Sequence, residues 1–226
     1  MRNRINIFVI VFQMLVPAIA YGDTEAGPFP YARTSADGKF IFVMFTPGHV
    51  HPAEVPLVDG RQVFGYIPAS DYPASGLYAN NGSRIPLWTV TWYAHSVIVL
   101  SDGIHLVRRG PWAKSQSDEA YSFYANGKEV RSYKISDLVD TPLFLKHSVS
   151  HFEWEETVRI DEQNHELVTA LYNTEGFVFD YTTGEIISSR RPFRAVLLVC
   201  GTALVLLAGW TAILIIGRVK RKQHRL

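Results

Sequence analysis

Thiols are almost missing from this chain. Of 226 residues, one is cysteine, Cys200, and it falls in an apolar stretch near the C-terminus. The remainder therefore has neither a disulfide nor thiolate chemistry at its disposal. Small extracellular domains of the eukaryotic type often staple a small core with disulfides, so a cysteine-free exported domain fits a bacterial envelope better. Catalytic signatures are missing too: there is no G-x-S-x-G elbow, no Walker loop and no H-E-x-x-H. Asn126-Gly127-Lys128 runs on into Glu129 and belongs to a hairpin, not to a phosphate loop. The expectation is a non-enzymatic chain without a cofactor, a hydrolase with an unfamiliar site being one alternative.

Carboxylates are absent from both ends. All 21 acidic residues fall between Asp23 and Glu185, and residues 21–192 set 14 Lys and Arg against them, a formal charge of −7. An acidic middle argues against nucleic acid as a partner, because neutralising phosphates takes clustered cations. The other eight cations sit at the ends, which suits a chain whose termini face a negative inner leaflet.

Charge of either sign is absent from residues 195–217. A run of about 23 apolar positions is long enough to cross a hydrocarbon core of about 30 Å. A core helix of a soluble protein would rarely be apolar on every face and then end in Arg218, Lys220, Arg221 and Lys222. Those cations orient the C-terminus toward the cytoplasm. Gly201, Ala208 and Ala212 share a face that permits close helix pairing. Residues 1–20 form a secretory signal: Arg2 and Arg4, an apolar core, then Pro17 ahead of an A-x-A site at Ala18-Ile19-Ala20. An uncleaved anchor is the alternative, and either one exports the domain C-terminal to it. The expected organisation is a signal at 1–20, an extracytoplasmic domain at 21–192, a membrane helix at 193–217 and a basic tail at 218–226.

Amphipathic helical periodicity is absent from the exported part. In its place stands a series of short runs rich in Val, Ile, Phe, Tyr and Trp, bounded by Gly, Asn, Asp and Pro. That pattern predicts a mainly β domain, with strands over residues 40–45, 87–93, 97–100, 104–108, 120–124, 130–135, 152–157, 167–172, 177–180 and 186–188. Two turns match closely, Ser35-Ala36-Asp37-Gly38 and Ser101-Asp102-Gly103, and a looser third starts at Asp161. Each is followed by a strand and then by a second turn, at Asn81-Gly82, Asn126-Gly127 and Thr183-Gly184. Asn-Gly favours a two-residue hairpin turn with positive φ at both positions. Three units of roughly 60 residues result. Asn81-Gly82-Ser83 also fits a glycosylation acceptor, but the turn is the preferred reading.

The stretch from Leu167 to Ile187 resembles the second half of a β-propeller blade of the WD40 or surface-layer repeat type, and the Ser-Asp-Gly turns resemble the first-hairpin turn of such blades. The resemblance covers about three blades, most of residues 35–188. It implies blade-like antiparallel hairpin repeats. Propellers close with about four to eight blades, so three imply an incomplete propeller or a β-sandwich of the same hairpins, with open edges that assembly between chains would cover.

Residues 46–75 differ, with Pro47, Pro52, Pro56, Pro68 and Pro73. Proline cannot donate to a sheet ladder, so a long ordered loop is expected, with a small hairpin around residues 61–67. In it, His49 and His51 with Glu54 could hold a zinc or copper ion, with further help from His147, His151 or His165; solvated loop histidines are the competing reading. A metal- or small-ligand-binding accessory protein is the corresponding alternative function. Glu153, Glu155 and Glu156 raise the question of paired carboxylates, but strand alternation puts Glu153 and Glu155 on one face and Trp154 on the other. Arg108, Arg109, Trp112 and Lys114 form a basic aromatic loop on an acidic domain, a candidate contact for a partner. The leading expectation is an envelope binding or scaffolding module: single-pass, held by lipid around its C-terminal helix, with a protein partner, a second copy of the chain being one candidate.

Overall fold

The structure, a computed structural model, describes residue 25, residues 27–47 and residues 72–223. Residues 1–24, most of the proline-rich loop and the last three residues lie outside the described residues. The chain is mainly β, with four antiparallel sheets and no closed barrel among the described residues.

Three sheets have four strands each, in sequence order. Sheet 1 holds β1 (Tyr31–Thr34), β2 (Phe40–Met44), β3 (Gly76–Ala79) and β4 (Pro86–Thr89). Sheet 2 holds β5 (Ser96–Val99), β6 (His105–Arg109), β7 (Glu119–Ala125) and β8 (Lys128–Lys134). The short pair β9 (Lys146–His147) and β10 (Phe152–Glu153) comes next, and sheet 3 then holds β11 (Glu155–Asp161), β12 (Glu166–Leu171), β13 (Gly176–Asp180) and β14 (Ile186–Arg190). Between sheets 2 and 3 lie a one-turn helix, α1 (Ile135–Leu138), and a 3-10 turn, Pro142–Phe144.

Sheet 2 is the middle layer, and its strand alternation feeds two cores. Leu106 and Tyr124 pack toward sheet 1 with Phe42, Leu77 and Trp88. Their neighbours Val107 and Phe123 pack toward sheet 3 with Leu167, Phe177 and Phe179. Successive side chains on a strand point to opposite faces, so a strand buried on both faces needs a mostly apolar run, and Ala120, Tyr121, Phe123 and Tyr124 are all buried, with Ser122 the one polar side chain buried among them. Truncating one of these aromatics to alanine costs about 3–5 kcal/mol. β8 and β14, the last strands of their sheets, are largely exposed.

A four-strand meander separates its two ends. The first and third turns of each sheet lie at one end, here the turn end. The second connection and the link to the next sheet lie at the other, the loop end. At the turn end the first turns of the three sheets are chained: Asp37 N–H donates to Ser101 Oγ (3.4 Å), and the Ser101 hydroxyl donates to Glu162 Oε1 (2.9 Å). The third turns press on the preceding sheet. Gly184 has φ +71°, and a Cβ there would lie 2.7 Å from Cβ of Arg131 and 3.0 Å from the Phe123 ring, so a side chain is excluded by both conformation and space.

Several expectations need correction. Residues 152–157 are not one strand: the run breaks at Trp154 into β10 and β11, which belong to different sheets. Trp154 drops into the core between sheets 2 and 3, and its burial outweighs continuation of the ladder. Glu153 and Glu155 thus lie on different strands; one pairs with Lys146 and the other with Arg109. Ile135, expected at a strand end, starts α1, and β1, β3 and β9 are additional to the expected strands. Asn126 and Gly127 both have positive φ, whereas at 81–82 only Gly82 does. Asn81 instead accepts the Ser83 N–H (3.0 Å) within its turn.

After β14 the chain enters α2 (Pro192–Gln223) from the loop end. It is one helix long and apolar enough to cross a membrane: Pro192–Ile213 has mean hydropathy 2.3 and nothing of that window is buried. Arg218, Lys220, Arg221 and Lys222 fall in its last turns.

Candidate functional site

Among the described residues, three clefts lie at the loop end, where the longer connections run. One, about 470 Å³, lies between sheets 2 and 3 and is walled by Phe29, Trp112, Phe152 and Trp154, with His95, His151, Glu25, Arg109 and Glu155 among them. A second cleft of about 400 Å³ shares Glu25, His95, Arg109 and Pro111 with it and extends to Asp118 and Glu119. A third, about 370 Å³, sits at the loop end of sheet 1 beside Pro47, Pro73, Trp92 and Tyr93.

The loop between β6 and β7 builds the main cleft. Gly110 has no room for a side chain, since a Cβ would meet the Glu119 carbonyl oxygen at 1.7 Å. Its N–H donates to Ala120 O (2.9 Å), so the ladder of sheet 2 runs one step past β6 before Pro111 ends it. Trp112 is thereby carried over the sheet end, where its edge meets the His151 ring at 4.2 Å between centroids. The opposite wall is fixed by Phe152 N–H donating to Ala113 O (3.0 Å) and Tyr172 N–H donating to Trp154 O (3.1 Å).

The predicted basic loop is brought together here, with carboxylates already beside its cations. Arg108 forms a two-pronged pair with Glu119 and lies 5.0 Å over the Trp92 ring. Arg109 pairs with Glu155 at 2.5 Å. Lys114 pairs with Glu25 at 3.2 Å, and the other oxygen of Glu25 accepts the Trp112 N–H (3.4 Å) and approaches His95 Nε2 (3.6 Å). At the floor, Tyr121 donates to Glu155 (2.9 Å) and approaches Thr169 Oγ1 (3.1 Å). Burial pushes the Tyr121 phenol well above its ordinary pKa, and the Glu155 charge adds to the rise; it stays a neutral donor. What remains open in the cleft is aromatic surface with polar groups fixed at its edges.

Sequence reasoning found Trp112, weighed Glu155 only as one of a set of carboxylates, and missed Glu25, Phe29 and His95. Each lies 17 or more residues from Trp112, so only the packing of sheets reveals them. The excess of cations in residues 108–114 was a signal that carboxylates had to meet them, though not which. His49, His51 and Glu54 lie outside the described residues. Among the described residues no group of three His, Cys, Asp or Glu is placed to hold a metal ion; His147, His151 and His165 are separate, on β9, beside Trp112 and against Tyr181. No protein-family model matches this chain and no curated protein matches it.

Proposed function

We propose that the chain is a single-pass envelope protein whose exported domain is a fan of three propeller-like blades serving as a non-enzymatic binding module. The three meanders and their matched first and third turns support the blade reading, and the apolar, unburied α2 supports the anchor. The observation that carries the binding reading is the aromatic cleft around Trp112 and Trp154. Its volume falls in the usual range for ligand sites of about 300–1,000 Å³, and its ion pairs are satisfied internally. A partner gains most there by laying apolar or planar groups on Trp112 and Phe29 and hydrogen-bonding at the rim. A peptide segment of a protein partner meets that description, and a second copy of the chain is included in that class.

The test is site-specific photocrosslinking in native membranes. A photoreactive residue at position 112 should give one discrete adduct of defined mass, and one at Gln163, at the turn end, should not. Equal adducts from both positions, or none from 112 together with turnover of a small substrate, would sink the reading. Protease added to spheroplasts should cut residues 21–192 while sparing α2.

A further inference from the structure

A loop at the loop end, residues 142–149, displays large apolar side chains to solvent. Leu143 is 85% exposed, Val149 68% and Phe144 55%. Single exposed apolar residues are ordinary, but three within eight positions beside an apolar helix call for a cause. The segment is not a loose strap. Leu145 between them is buried, and the 3-10 turn is closed by Leu145 N–H donating to Pro142 O (3.1 Å). Its base is held by Arg191, which pairs with Asp140 at 2.5 Å, and by Asp140 N–H donating to the buried Glu175 (3.1 Å). The backbone is thus fixed with Leu143 and Phe144 turned away from the core.

Continuity with the helix identifies what covers them. The Phe144 ring stacks on Phe193, the second residue of α2, at 5.1 Å and 30°. If α2 spans a bilayer, Phe193 sits where the helix enters the lipid, and Phe144, stacked on it, is brought there with it, Leu143 being its neighbour in the chain. Arg190 and Arg194 flank that point, exposed and without an ion pair among the described residues, whereas nearby Asp140 and Glu153 are already paired. Apolar side chains ringed by unpaired cations match the boundary between acyl chains and anionic headgroups.

We infer that residues 142–149 are a second membrane contact: Leu143, Phe144 and Val149 bury into the outer leaflet while Arg190 and Arg194 meet lipid phosphates, so the loop end of the domain lies on the bilayer. This rests on the membrane-spanning reading of α2. The clefts then open beside the leaflet.

The lone Cys200 allows a test that separates the two. The full chain is reconstituted into vesicles of phosphatidylcholine and phosphatidylglycerol containing brominated lipids, and a fluorophore is placed at one cysteine at a time. One sample keeps Cys200; the others carry Cys200→Ser with Leu143→Cys, Val149→Cys or Gln163→Cys. Labels at 200, 143 and 149 should each be quenched about threefold more than the label at 163. Quenching at 200 with 143 and 149 as dry of lipid as 163 would overturn the surface contact and leave the span standing. No quenching at 200 would overturn both.

Discussion

The two ends of the sheets are built from different materials. At the turn end the connections are short, closed by glycines in the left-handed region and by aspartates that accept backbone N–H groups, as Asp102 does from Ile104 and His105. At the loop end the connections are long, except the four residues between β12 and β13, and their tryptophans and paired charges surround clefts. Tight turns leave no surface that could be altered without unfolding a hairpin. Longer connections can be rebuilt on the same frame, which suits the proposed binding surface. The frame and the proposed site are thus separated along the strand direction.

Gly110 breaks the separation most directly, because it is a loop-end residue with a turn-end constraint. Gly110→Val would drive side-chain carbon into the Glu119 carbonyl, and the backbone must move to admit it. We expect a loss of about 4 kcal/mol or outright failure to fold, against about 2–3 kcal/mol for Gly184→Ala at the turn end. Urea denaturation of the reconstituted chain, followed by tryptophan fluorescence, would rank them; a harmless Gly110→Val would remove the tight exit of β6 that places Trp112.

Ion pairs give the next contrast. Arg109→Ala leaves Glu155, 9% exposed, with only Tyr121 and the surrounding protein. Stranding a mostly buried charge costs about 2–3 kcal/mol here, below the full range because Arg109 itself is 36% exposed. Arg131→Ala, which breaks the exposed turn-end pair with Glu185, should leave stability all but unchanged, because solvent screens that pair. Similar losses for the two would mean that the Arg109–Glu155 pair is as solvated as the surface one.

Acid should reverse the order of robustness. Asp161 is held below its usual pKa first by the Asn164 side-chain amide and then by the N–H groups of Asn164 and Gln163. Asp102 and Asp180 feel burial, which raises their pKa, but hydrogen bonds from His105 and Thr182 outweigh it and the net direction is downward. A lowered folded-state pKa means stabilisation that is complete above the unfolded value of about 3.9 and lost as pH falls through the folded value. Amide exchange tracked from pH 5 downward, in ~0.5 unit steps, should therefore show the turns at Asp102, Asp161 and Asp180 losing protection below about pH 4. Burial and the charges of Asp102, Glu162, Asp180 and Asp161 push the neighbouring Tyr181 phenol up to about 12, so neutralising those carboxylates should lower it.

The turn end was the legible end. Ser35-Ala36-Asp37-Gly38 and Ser101-Asp102-Gly103 announce themselves because their chemistry is local: Gly38 and Gly103 have φ of +71° and +73°, and the aspartates bond within three residues. Strands buried on both faces, such as β7, were legible as apolar runs. β1 and β3 were not, since four residues such as Gly76–Ala79 are held by long-range pairing, not by propensity. The cleft was least legible: Arg109 finds Glu155 across 46 residues, and Lys114 finds Glu25 across 89. Only the stacking of sheets makes those separations short.

The smallest expected effect concerns strain. Thr174 has φ +67°, a region costly for a β-branched side chain. It sits in the tightest loop-end connection, between β12 and β13, where Thr174 N–H donates to Leu171 O and Leu171 N–H to Glu175 O (3.0 and 2.8 Å). His165, at the turn end, has φ +59° but packs its ring on Tyr181 at 5.6 Å. Thr174→Gly should therefore stabilise the chain by about 0.5–1 kcal/mol, while His165→Gly should come out near zero as relief of strain is offset by the lost ring contact. The two midpoints in urea decide it. If both variants gain equally, the ring contact contributes nothing; if Thr174→Gly loses stability, the loop-end turn depends on a threonine contact that outweighs its backbone strain.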